Sequence, residues 1–168
     1  MQAEVLRLHL AYKEWQTKRL LDAVRDLATD AFEQPRGSSH GSIKGTLQHT
    51  YGADFVWKRR LEGMMLTRAD VVLPETLSNL ERKWLELADQ WKEWAASVPD
   101  SKWNEKLEYT MFDGSRRSNT LWQIIMHVVN HGTLHGGQVV TMLRQAGVTP
   151  PQTDLIFFYR EMEAAAAT

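Results

Sequence analysis

A chain of 168 residues with 43% hydrophobic content is long enough to bury one core without any staple. Its 20 basic and 21 acidic residues are mixed along the chain and leave a net charge of -1, so there is no electrostatic footprint for nucleic acid or for an anionic membrane surface. Cysteine is absent, which excludes disulfides, thiolate ligands and a cysteine nucleophile; any metal must be held by imidazole, carboxylate or water.

One domain over residues 1–168 is the expectation. The opening MQAEVLRLHLAYKEW lacks a basic start, an apolar run and a small-residue cleavage site, and no stretch is apolar enough to span a bilayer, so a soluble cytoplasmic protein without membrane contact is expected. The seven tryptophans are spread through predicted helices, where core and interface packing accounts for them.

Residues 2–28 are good helix formers in which Leu6, Leu10, Leu21, Val24 and Ala28 recur at helical spacing, predicting a long first helix. Pro35-Arg36-Gly37-Ser38-Ser39 then reads as a loop. A second helix begins near Ser42 or Thr46 and ends at Gly63 or shortly after. On its wheel Gly45, Gly52 and Ala53 fall on the side of His49, which leaves room beside that imidazole. Pro74 suits the first turn of a third helix, along which Leu77, Leu80, Trp84, Leu87, Trp91, Trp94 and Val98 step by threes and fours until Pro99 closes it.

After Pro99 the pattern changes: Leu107, Tyr109 and Met111 alternate with polar residues before Asp113-Gly114, as in a short β-hairpin or irregular flap, or else a long polar loop. A fourth helix opens at Thr120, whose hydroxyl and the Gln123 side chain can form a capping box, and runs to Ala146 before Gly147 and Pro150-Pro151. LIFFYREMEA can add one short helix. The fold class is therefore all-α, a four-helix bundle with a hairpin-like excursion before the last long helix.

Ile124, His131, Gln138 and Met142 share one face of the fourth helix, with His135 and His127 about 40° to either side of His131. Imidazoles on a core stripe need partners, which a metal supplies directly and which backbone or a second imidazole supplies otherwise. The i, i+4 spacing of His131 and His135 is the geometry by which a helix presents paired ligands to zinc or a similar ion. His49, beside small residues on another helix, is the candidate third. His127 could orient a ligand, bind a coordinated water or only fill the core. His40 and His9 have no nameable partner and default to structural or exposed roles.

The stretches AYKEWQTKRLLDAV, GSSHGSIKGTLQHTYGADFVWKRRLEG and FDGSRRSNTLWQIIMHVVNHGTLHGGQVVTMLRQAGVTPP, with the closing TDLIFFYRE, resemble the DinB-like (DinB/YfiT) bundle proteins over nearly the whole chain. The resemblance implies a damage-inducible type of four-helix bundle, commonly homodimeric, with a three-histidine metal site open on one side. Carried over by motif, the ligands are His49 of LQHTYG and His131 and His135 of NHGTLHGG. Where relatives read HRGQ this chain has His135-Gly136-Gly137-Gln138, so an Arg is missing; Thr17 stands where Asn is common.

Three neutral histidines would hold one divalent transition metal (Zn, Ni or Fe) and leave a position for water or an anion. Two classes of function follow. One is a metal-dependent hydrolase or thiol-dependent S-transferase acting on a small-molecule substrate, with a low-molecular-weight thiol as the second reactant in the latter case. The other is a non-catalytic metal- or ligand-binding dimeric stress protein. Asp54, His127 and Tyr51 are the candidate general bases, with Asp54 expected to face away from His49.

Overall fold

The computed structural model describes residues 2–167, with six α-helices and one two-stranded sheet among them. In chain order these are α1 (Gln2–Val24), α2 (Thr29–Glu33), α3 (Ile43–Leu61), α4 (Leu77–Ser97), β1 (Lys106–Thr110), β2 (Arg116–Thr120), α5 (Leu121–Gln145) and α6 (Leu155–Ala166), with 3-10 turns at Arg68–Asp70 and Asp100–Asn104. The long helices α1, α3, α4 and α5 form the body: α5 packs against α1 and α3, and both of those pack against α4. No helix among the described residues is long and apolar enough to cross a membrane.

The structure refines the all-α, four-helix reading in three places, the second of them as the expected hairpin. The first helix stops at Val24, and a separate short helix follows from Thr29, because Phe32 must turn back to be buried in the core. The excursion is a true antiparallel hairpin, paired from Lys106 with Thr120 to Thr110 with Arg116, and its turn carries Gly114 at φ 81°. Pro74 does not open α4; its carbonyl accepts from Gln48 Nε2 at 2.7 Å, and Thr76 caps the helix by accepting from the Asn79 N–H at 3.3 Å.

The apolar stripes are inside. Leu6, Leu10, Leu21 and Val24 of α1, Leu80, Trp84, Leu87 and Trp91 of α4, and Ile125, Val128, Met142 and Leu143 of α5 all belong to the buried core. At the start of α5 the Gln123 side chain accepts from the Thr120 N–H at 3.1 Å, and Gly147 at φ 77° ends the helix.

One polar cluster crosses this core. The Lys13 ammonium is ion-paired with Asp54, and Trp84 Nε1 donates to the same Asp54 oxygen at 2.9 Å. Lys13 and Asp54 are both buried, and burial pushes the Asp54 carboxyl up against the pull of Lys13. Removing one member of such a pair strands the other's charge in the core. Lys13→Met is accordingly expected to cost about 3–5 kcal/mol in urea unfolding at neutral pH. The double change Lys13→Met with Asp54→Leu is expected to recover most of it; equal losses in both proteins would show that the cost is packing rather than stranded charge.

Candidate metal centre

His49 sits in the middle of α3, and His131 and His135 lie one turn apart on α5, so the packing of α3 against α5 brings the two segments together. His131 Nε2 lies 3.0 Å from His49 Nε2 and 3.1 Å from His135 Nε2. On its other ring nitrogen, His135 Nδ1 is 2.8 Å from Gln138 Oε1, a carboxamide oxygen that can only accept. Nδ1 therefore carries the proton, and His135 Nε2 is left as a lone pair aimed at the cluster. Gln138 in turn exchanges hydrogen bonds with Ser39 at 3.3 and 3.4 Å, which ties the α5 histidines to the loop before α3.

That loop also supplies a residue the sequence offered no reason to choose. His40 stacks on His49 with ring centroids 3.6 Å apart and planes 15° apart, and its ring meets His135 edge-on at 5.1 Å. Ring nitrogens of His40, His49 and His135 all lie within 4.8 Å of one another. Gly45 makes this possible: a Cβ at that position would overlap the His40 carbonyl oxygen, so any larger residue would push the loop off α3. The one available signal was Gly45 three residues after the Ser42 cap, where a helix former would ordinarily stand.

The donor set suits a cation. His131 Nε2 has close contacts to two other nitrogens, yet a neutral imidazole nitrogen has either one proton or one lone pair to offer. His131 Nδ1 is buried with no hydrogen-bond partner among the described residues. Two nitrogens bound to one ion at ~2.0–2.1 Å lie roughly 2.9–3.4 Å apart for bond angles between about 90° and 110°, the range of the two measured separations. The imidazoles are also poised in the ligating form. Burial, then the neighbouring His40 and His135, holds His49 down to about 4; burial, then His135 and His49, holds His131 to about 3.

The remaining candidates are placed elsewhere. The His127 ring centroid is 5.7 Å from that of His131 and 5.4 Å from that of Trp57, and burial lowers its pKa. Asp54 faces away from the histidines toward Lys13 and Trp84, as its wheel position predicts. Tyr51 is buried against Trp84 and Phe55, and burial raises its phenol. His9 is held locally by the Val5 carbonyl at 2.7 Å. A groove with a volume near 430 Å³ opens beside His49, lined by Gly52 and Ala53 as their small size implied and continuing past Trp57.

The sequence model of the DinB family matches residues 1–165. Protein DinB of Bacillus subtilis (strain 168) is 26% identical over 164 residues, covering 92% of this chain and 94% of that protein. A crystal structure of a DinB-like protein from Bacillus cereus ATCC 10987 superposes with a TM-score of 0.65 at 18% identity, over 86% of this chain and 94% of that one.

Because burial holds His49 and His131 in the folded protein below the ordinary imidazole value of 6.5, the unfolded chain binds more protons between those limits, and stability falls as pH falls. Metal-free protein is expected to lose urea stability on going from pH 7 to pH 5. The His49→Gln, His131→Gln double variant is expected to lose measurably less over the same interval; parallel slopes would contradict the assigned burial of these rings.

Proposed function

The chain belongs to the DinB family, and on that footing we propose that it is a single-domain bundle protein holding one divalent transition metal through His49, His131 and His135. The reading is supported by His131 Nε2 lying 3.0 Å from His49 Nε2 and 3.1 Å from His135 Nε2, with Gln138 fixing the tautomer of His135. Three neutral ligands leave positions open, and a bound Zn, Ni or Fe dication would there supply Lewis acidity toward a water, a carbonyl or a thiol.

Within that reading, thiol-dependent S-transfer is better supported than hydrolysis. A hydrolase needs a positioned base for its water; Asp54 is committed to Lys13 and Trp84 and Tyr51 is packed in the core, which leaves His127, its ring set edge-on against Trp57, as the one named base beside the cluster. A thiol is acidic enough to be delivered as its anion with less help, and the chain has no cysteine to compete for the metal. In this scheme His40 covers one side of the cluster through its stack on His49, and the groove beside His49 admits the electrophile. A homodimer is supported by Trp122, Met126 and Leu134, exposed apolar side chains at four- and eight-residue intervals along α5.

Purified protein is expected to retain close to one metal ion per chain by elemental analysis. His131→Ala should abolish retention, His40→Ala should preserve it, and Gln138→Leu should weaken affinity about 10–100-fold. Unchanged content in His131→Ala would overturn the ligand set, whereas loss in His40→Ala as complete as in His131→Ala would make His40 a ligand. Turnover of an electrophile with a low-molecular-weight thiol, absent after chelation, separates S-transfer from simple esters or amides as substrates and from non-catalytic binding.

A further inference from the structure

Among the buried charged residues, Lys13 is paired with Asp54 and Lys58 with Glu62. Arg60 is as deeply buried, at 6% exposure, and no carboxylate oxygen lies within 4.0 Å of its guanidinium among the described residues. Its hydrogen-bond partner is the Thr110 carbonyl, which accepts from Nη2 at 3.2 Å. Around it stand aromatic faces, with the guanidinium carbon 5.0 Å from the Trp57 ring centroid and 5.5 Å from that of Phe112. A buried guanidinium keeps its charge, so four of its five donors and its countercharge are left to something outside the protein.

That guanidinium lines the groove that opens at His49. His49, Ala53, Val56 and Arg60 follow one face of α3, so the groove runs roughly 16 Å along the helix axis. The Arg60 side chain leans back toward the N-terminal end, which brings its charge nearer the histidines than its Cα. The opposite wall, from the segment between α3 and α4, contributes Leu73 and Arg68, whose guanidinium lies over the other contact of Phe112 at 5.3 Å. Arg68 also lacks a carboxylate partner among the described residues. Two unneutralised guanidiniums therefore share one end of a groove whose middle is apolar and aromatic and whose other end is the histidine cluster.

We propose that Arg60 and Arg68 form an anion subsite that selects, for the histidine site, an elongated organic anion. Its carboxylate or sulfonate would be held at the arginines, its flat apolar body would lie between Trp57 and Leu73, and its reactive end would reach His49. The proposal rests on the metal-site reading only for the fate of that reactive end; the anion subsite itself needs no metal. The charge comes from α3 and from the turn at Arg68–Asp70, so it does not depend on the Arg that relatives carry after the last histidine.

The test is a pair of fluorescent probes with nearly the same aromatic body, 8-anilino-1-naphthalenesulfonate and the uncharged N-phenyl-1-naphthylamine, titrated into the full-length protein before and after chelation of metal. The sulfonate is expected to bind at least tenfold more tightly than the neutral amine, with or without metal. Arg68→Ala, on an exposed turn, and Arg60→Met are each expected to weaken the sulfonate about tenfold and leave the amine unchanged, with Arg60→Lys intermediate. Should Arg60→Met fail to fold, Arg68→Ala and Arg60→Lys carry the same readout. Equal affinity for the two probes, or sulfonate binding indifferent to Arg68→Ala and Arg60→Lys, overturns the subsite. Sulfonate selectivity in a protein that retains no metal upholds it while removing the metal reading, and metal retention without selectivity does the reverse.

Discussion

All four long helices converge on the Lys13 side chain. It rises from α1, its aliphatic stem lies over Gly132 of α5, its ammonium pairs with Asp54 of α3, and Asp54 accepts from Trp84 of α4. A Cβ at position 132 would meet that stem at 3.3 Å, and one at position 136, a turn later, would meet the Gln16 side chain at 3.1 Å. Both glycines therefore let α5 approach α1 more closely than alanine would without adjustment. Because His131 and His135 stand beside these two glycines, the same close approach sets how far the imidazoles reach toward α3.

The interior pair and the histidine cluster divide α3 between them. Asp54 turns inward to Lys13, while His49, Ala53, Val56 and Arg60 turn toward the groove. The two faces treat charge in opposite ways. Inside, each cation is matched by a carboxylate, as burial demands. On the groove side the imidazoles are kept neutral by burial and by one another, and the guanidinium of Arg60 has no carboxylate partner among the described residues. A surface that holds neutral nitrogen lone pairs at one end and unmatched positive charge at the other is the basis of the ligand-binding reading proposed above.

Gly136, which stands where the family resemblance implies an Arg, has a local role in this setting. The space beside Gly136 is filled by Gln16, whose Nε2 donates to the Tyr12 hydroxyl at 3.3 Å. Tyr12 in turn donates to the Thr153 carbonyl at 2.8 Å and so ties α1 to the segment before α6. Gly136 is part of the packing between α1 and α5, and the positive charge of the groove is supplied from α3 and the Arg68 turn.

Much of this was legible in residue order alone. The three- and four-residue stepping of α4, the inward face of α5, the alternation that becomes the hairpin and the i, i+4 histidine pair are all local periodicities, and local periodicity dictates which side of an element is buried. The contact of His49 with His131 was reachable only by joining separated segments, through the pattern of small residues around His49 and the family resemblance. Three features lay beyond sequence. His40 reaches the cluster because a loop folds over Gly45, the separate helix after Val24 is the one that places Phe32 in the core, and Arg60 is found among aromatic rings rather than beside a carboxylate among the described residues. Each depends on distances between elements far apart in the chain, which periodicity does not encode and packing decides.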